Sequence, residues 1–144
     1  MFLGEYTHTL DDKGRLTLPA KFREKMAHGV VVTRGLDGCL FVFTYEDWKS
    51  FTSILSQQLP FTQKSARDFS RLFFSGAVDI IPDRQGRILI PSYLREYANL
   101  DSEVVIIGAN TRLELWTPDQ WKQTLLDVES NAEMIAEQFS SITF

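Results

Sequence analysis

The sequence predicts an α+β fold, rich in β-structure, made of two tandem copies of one unit. Three observations carry the prediction. The chain repeats itself once, each copy places an Asp-x-x-Gly turn before a short run of β-favouring residues, and apolar residues at helical spacing follow each copy. The length of 144 residues suits one compact domain of the usual ~100–200, or two small halves. With 44% apolar and 24% charged residues, and with 11 Phe and 3 Trp, the chain can build a core.

The repeat stands out when the chain is laid against itself. Residues 11–26, DDKGRLTLPAKFREKM, match residues 83–98, DRQGRILIPSYLREYA, at 6 of 16 positions. Asp11, Gly14, Arg15, Pro19, Arg23 and Glu24 recur as Asp83, Gly86, Arg87, Pro91, Arg95 and Glu96. Residues 31–49, VVTRGLDGCLFVFTYEDWK, match residues 104–122, VVIIGANTRLELWTPDQWK, at 7 of 19 positions, Gly35/Gly108, Trp48/Trp121 and Lys49/Lys122 among them. Thirteen matches in 35 positions is several times the roughly 2 that composition alone would give. The units are placed at residues 5–49 and 76–122, with a helical linker at 50–75 and a C-terminal helix at 123–144.

Each unit opens with a short strand, Tyr6–Leu10 or Ala77–Ile81. The turn follows, its Gly14 or Gly86 supplying the positive φ of a tight hairpin. A second strand, Arg15–Leu18 or Arg87–Ile90, is stopped by Pro19 or Pro91, which can open a short helix over Ala20–Met26 or Ser92–Ala98. A further hairpin comes next: VVVTRG with CLFVF, and VVIIGA with RLELW. Thr44 and Thr117, with Asp47 and Gln120 three residues on, have the pattern of N-caps for helices that pack Trp48 and Trp121 on the hairpins. In the linker, Thr62 is a candidate N-cap for a helix whose Phe69, Leu72 and Phe73 share one face. At the C-terminus, Leu125, Val128, Ala132 and Ile135 recur at spacings of 3 or 4 and predict an acidic amphipathic helix.

Composition removes several function classes. No apolar run approaches the ~20 residues of a membrane span, and the first residues lack the basic-then-apolar pattern of a signal peptide, so a cytoplasmic protein is expected. A single cysteine, Cys39, cannot form an internal disulfide or a cysteine-based zinc site. It lies in CLFVF without a basic neighbour, as a small buried hydrophobe would. His8 and His28 fall in different elements, and no HExxH pair or phosphate-binding glycine loop is present. No enzyme, metal or cofactor is expected. The net charge of −4 hides an asymmetry: residues 1–100 carry +2 and residues 101–144 carry −6. Local placement must therefore decide the partner.

The duplicated turn is the feature with chemistry in it. Asp11-Asp12-Lys13-Gly14-Arg15 and Asp83-Arg84-Gln85-Gly86-Arg87 each put an acid at one end of a turn and an arginine at the other. Asp caps turn N–H groups, and Arg can reach across to pair with it. An arginine oriented in that way presents a fixed fork, suited to phosphate or to the O6/N7 edge of guanine. Lys13 and Arg84 add a second base to each tip, and a two-stranded ribbon fits the DNA major groove. The candidate contacts are Lys13, Arg15, Arg84 and Arg87, supported by Asp11, Gly14, Asp83 and Gly86. On the short helices, Arg23 with Glu24 and Arg95 with Glu96 read as exposed ion pairs, and Lys64, Arg67 and Arg71 share one face of the linker helix.

In its opening MFLGEYTHTLDDKGRLTLPAKFR, its two Asp-x-x-x-Arg turns, its linker RDFSRLFFSGA and its IIGANTRLELW, the chain resembles the MraZ family, two-repeat bacterial members of the SpoVT-AbrB-like, or swapped-hairpin, group. The resemblance covers essentially the whole chain. It implies tandem pseudo-symmetric units forming a small barrel-like core with flanking helices. It also implies a cytoplasmic, nucleoid-associated transcription regulator, usually a repressor, that binds closely spaced direct repeats in double-stranded DNA upstream of the operon for cell division and cell-wall synthesis. Homo-oligomeric rings with DNA-reading hairpins on one rim are implied too, with Asp11, Arg15, Asp83 and Arg87 as the motif residues. The alternative from another class is an oligomeric interaction module whose tips bind a protein partner without DNA. An antitoxin role is a variant of the first.

Overall fold

A computed structural model describes residues 1–142. In chain order the strands are β1 (Phe2–Thr9), β2 (Arg15–Thr17), β3 (Val30–Arg34), β4 (Leu40–Thr44), β5 (Val78–Ile80), β6 (Arg87–Leu89), β7 (Glu103–Asn110) and β8 (Leu113–Trp116). The helices are α1 (Ala20–Met26), α2 (Tyr45–Gln58), α3 (Lys64–Gly76), α4 (Ser92–Tyr97), α5 (Pro118–Ser130) and α6 (Ala132–Gln138).

The two repeats exchange strands. A six-stranded antiparallel sheet runs β1-β7-β8-β4-β3-β5, so the first unit's β1 lies against the second unit's hairpin and the second unit's β5 against the first's. The remaining strands, β2 and β6, form a two-stranded ribbon, again one from each unit. At the two central junctions repeat-equivalent residues face each other: Leu16 pairs with Ile88, and Phe41 with Glu114. A local two-fold axis passes through both pairs.

Side-chain alternation along the strands makes two cores. Val30, Val32, Leu40, Val42, Val104, Ile106, Leu113 and Leu115 face the ribbon and the short helices, where Leu16, Ile88, Phe22 and Leu94 complete a fully buried cluster. Phe41, Phe43, Val105, Ile107 and Trp116 face the other way, onto Phe73 of α3 and the partly buried Trp48, Phe51, Phe69, Leu72 and Trp121. The molecule is thus three layers: ribbon with α1 and α4, sheet, and long helices. Burial pushes the pKa of the Cys39 thiol above its ordinary value, as befits an apolar core residue.

Several expectations are refined. The predicted barrel-like core takes the form of a sheet and a ribbon joined by the isolated Leu10–Leu16 bridge. The first hairpin of each unit is not a paired ladder. The first turn closes at that one bridge, after which β2 leaves for β6, because β1 gains a longer register against β7, from Phe2↔Asn110 to Thr9↔Glu103. The same pairing starts β1 at Phe2 rather than Tyr6. Thr44 and Thr117 do cap α2 and α5, accepting from the Asp47 and Gln120 N–H groups at 3.1 and 3.3 Å. Thr62 does not cap α3: the Pro60–Gln63 turn moves the N-cap to Gln63, which makes no side-chain cap bond. Pro19 and Pro91 stand at the caps of α1 and α4 rather than inside them. The predicted C-terminal helix is two. Asn131 donates its side-chain amide to the Asp127 carbonyl at 2.8 Å and ends α5, and the last two residues of 123–144 lie outside the described residues.

Candidate nucleic-acid interface

The two turns are near-copies at atomic detail. The Asp11 backbone N–H donates to the Arg15 carbonyl at 3.0 Å and the Gly14 N–H to the Asp11 carbonyl at 3.0 Å; at the second turn both distances are 2.9 Å. Asp11 Oδ1 accepts from the N–H groups of Lys13 and Arg15 at 3.0 and 2.8 Å, and its Oδ2 accepts from Arg15 Nε at 2.7 Å. Asp83 accepts from Gln85 and Arg87 N–H, both at 2.9 Å, and from Arg87 Nε at 2.8 Å. Gly14 and Gly86 take φ of 86° and 75°, the left-handed region expected of them. The backbone N–H of the arginine, followed by its guanidinium, holds each carboxyl below the usual carboxylate range.

The clasp consumes Nε and leaves the two Nη groups. Among the described residues, the Nη atoms of Arg15 and Arg87 have no hydrogen-bond partner, so each side chain offers a held, outward pair of donors. Both lie on one surface. In the β2–β6 register Arg15 opposes Leu89 and Thr17 opposes Arg87, while Leu16 and Ile88 between them point into the core. The outer face of the ribbon therefore carries both arginines diagonally, at a Cβ separation of about 7–8 Å for such neighbours. Lys13 and Arg84 are exposed on the turns at either end of this face.

The sequence places Arg15 and Arg87 as projections from two separate hairpin tips. They instead lie along a shared ribbon, about a third exposed, at 32% and 28%. A different pair of arginines reaches the turns. Arg23 and Arg95 are not paired with Glu24 and Glu96. Their Nε atoms donate to the carbonyls of Leu18 and Ile90, each at 3.0 Å, where β2 and β6 run out. Arg95 covers Gly14, where a Cβ would stand 2.9 Å from its guanidinium, and Arg23 covers Gly86, where a Cβ would meet its Cδ at 2.6 Å. The sequence holds one sign of them: both recur in the repeat. Lys64 and Arg71 pair with Asp68 on α3, in the layer beyond the sheet from the ribbon, and do not join this surface.

Strand exchange between duplicated units, with a duplicated Asp–Arg clasp on the ribbon they share, defines a two-unit protein of the swapped-hairpin class. The family model described as "MraZ protein, putative antitoxin-like" matches residues 1–72 and again residues 73–140. The chain belongs to the MraZ family. It is 50% identical over 138 residues to a protein of Moorella thermoacetica, covering 96% of each chain, and 51% identical to one of Pelotomaculum thermopropionicum, covering 96% of this chain and 94% of that one. A relative from Caldicellulosiruptor saccharolyticus is 46% identical over 142 residues, 99% of both chains. Each carries the name "Transcriptional regulator MraZ".

Proposed function

We propose that this protein is a DNA-binding transcription regulator, not an enzyme, and that it reads double-stranded DNA with the outer face of the β2–β6 ribbon. The observation that carries this is the pair of clasped arginines on one ribbon face, each with its Nη donors free. A two-stranded ribbon is of a size to enter the major groove, and a fixed guanidinium fork matches guanine or phosphate. Lys13 and Arg84, exposed at the ends, suit phosphate contacts, which position without specifying. The names of the relatives support the regulatory role, and the family resemblance supports repression through direct repeats upstream of the division and cell-wall operon, in the cytoplasm and on the nucleoid. Among the described residues no helix is long and apolar enough to cross a membrane.

A ring of copies completes the proposal, because one ribbon offers few contacts and repetition multiplies them. Two unpartnered surfaces support it. A groove of about 400 Å³ between α2 and α3, lined by Leu55, Leu59, Phe61 and Phe74, is edged by Arg67 and Arg71. The arm of α5 and α6 exposes Leu126, Met134, Ile135 and Phe139 beside Asp127, Glu129, Glu133 and Glu137. An acidic apolar arm seated in a basic apolar groove of the next copy makes a head-to-tail contact, the kind that closes into rings.

The test is binding of the wild type, Arg15→Ala and Arg87→Ala to a duplex from the region upstream of its own gene and to a scrambled duplex. Each substitution is expected to reduce discrimination by ~1–3 kcal/mol per contact while leaving the melting temperature close to wild type. Lys13→Ala should weaken both duplexes alike and flatten the salt dependence. Intact discrimination in both arginine variants would remove the ribbon face and leave the protein-interaction module as the better account.

A further inference from the structure

Each turn is completed by the other repeat. The Gly86 carbonyl accepts from the Leu18 N–H at 2.8 Å, the Leu18 carbonyl accepts from Arg23 Nε at 3.0 Å, and the Arg23 side chain lies back over Gly86. The mirror arrangement joins the Gly14 carbonyl to the Ile90 N–H at 2.9 Å, the Ile90 carbonyl to Arg95 Nε at 3.0 Å, and Arg95 to the face of Gly14. Both arrangements close on themselves, and both cross between units. Gly14 is buried although its neighbours Asp12 and Lys13 are exposed, and the residue that buries it belongs to the second repeat.

We infer that Arg95 and Arg23 are positioning residues for the ribbon arginines of the opposite repeat: Arg95 fixes the first turn and through it Arg15, and Arg23 fixes the second turn and through it Arg87. The physical reason is the order of the bonds. Asp11 orients Arg15 only while the backbone of residues 11–15 keeps its two N–H groups on Oδ1, and that backbone bends at Gly14, whose outer side is closed by the Arg95 guanidinium. Without Arg95 the turn loses its cover and the clasp its fixed base. The same holds for Asp83, Gly86 and Arg23. Functional partners are therefore Arg15 with Arg95 and Arg87 with Arg23, although Arg15 and Arg23 stand eight residues apart in one repeat.

This inference rests on the DNA-reading proposal, and its test has one arm that needs no DNA. In that arm, exchange of the Arg15 Nε–H with solvent is followed by NMR. It should quicken in Arg95→Ala and stay at the wild-type rate in Arg23→Ala, and the Arg87 Nε–H should respond the other way round. In the second arm, single and double alanine variants are bound to the upstream and scrambled duplexes. Arg15→Ala and Arg95→Ala should each lower discrimination roughly 5–150-fold, and the double variant should be no worse than Arg15→Ala alone. Arg95→Ala combined with Arg87→Ala should instead multiply the two losses. Coupling of Arg15 to Arg23, or simple multiplication in every pair, would overturn the inference. Should Arg95→Ala fail to fold, Arg95→Lys keeps the charge and most of the stem but not the planar Nε–H, and should still quicken exchange at Arg15. Full wild-type behaviour of Arg95→Lys in both arms overturns the positioning role. A wild type that does not discriminate between the duplexes sinks the DNA-reading proposal instead, while the exchange arm still decides the positioning.

Discussion

At the scale of single residues, the clasp makes a pH prediction. Asp11 and Asp83 titrate below their ordinary value of 3.8, chiefly because the arginine N–H groups bond the ionised form. A depressed folded pKa contributes stability that is present above the ordinary value and is lost as the pH falls through the lowered one. Carboxyl carbon titration of the two residues should give midpoints below 3.8, with the Nε–H protection of Arg15 and Arg87 vanishing over the same acidic range. A midpoint at the ordinary value for either residue would show that its clasp is not held in solution. Gly14→Val places a branched side chain at a φ of 86° and drives its Cβ into the Arg95 guanidinium. It should lower stability by at least about 1–2 kcal/mol, read from melting curves. The clasp was legible in the sequence because all its partners lie within five residues. The roles of Arg23 and Arg95 were not, because each bonds a backbone carbonyl five residues back, which leaves no pattern in side-chain types, and covers a glycine that only strand exchange brings near.

Among the elements, α3 shows how the linker is fastened. Its last carbonyls, the groups a helix leaves unsatisfied, are taken up by neighbours. Thr33 Oγ1 donates to the Phe73 carbonyl at 2.6 Å, Arg34 Nη1 to the Leu72 carbonyl at 3.2 Å, and the Tyr93 hydroxyl to the Gly76 carbonyl at 3.0 Å. Thr33 is fully buried. Thr33→Val keeps the shape and strands a buried acceptor, so it should cost about 1–3 kcal/mol. A urea midpoint that falls with an unchanged slope, and unaltered DNA binding, would be the signature. The elements the sequence predicted well are those with local rules: the Thr44 and Thr117 caps, the α1 span and the Trp48 and Trp121 helices. The pairing of β1 with β7 and of β2 with β6 was not legible, since register between distant strands depends on which apolar faces meet in three dimensions.

For the whole molecule, strand exchange has a consequence for folding. Residues 1–72 alone would leave β1 and β2 without β7 and β6, and residues 73–140 alone would leave β5 without β3. The fragments should be largely unfolded apart and regain native circular dichroism when mixed. A fragment that melts cooperatively as a monomer would contradict the exchange. The ring makes a charge prediction. Reversing the arm with Glu133→Arg and Glu137→Arg, or the groove with Arg67→Glu and Arg71→Glu, should each reduce the mass seen by light scattering. Both changes in one chain should restore it, as should mixing the two variants, which alternate arm and groove. If all forms keep the wild-type mass, the assembly uses other surfaces.

The axis through Leu16–Ile88 and Phe41–Glu114 is where duplication in one chain matters most. A dimer of identical single units would have to place the same residue on both sides of such an axis, phenylalanine on phenylalanine or carboxylate on carboxylate. Fusion lifts that obligation: Glu114 accepts from Arg112 and Trp116, and the Arg112 guanidinium lies 4.6 Å over the Phe41 ring. The same liberty reaches the turns, where Asp12-Lys13 on one side answers Arg84-Gln85 on the other. A perfect dyad demands a palindrome of its target. A chain with unlike ends has a polarity. On the proposed reading, its site along a duplex has a direction, and successive subunits of a ring can follow one another in the same sense.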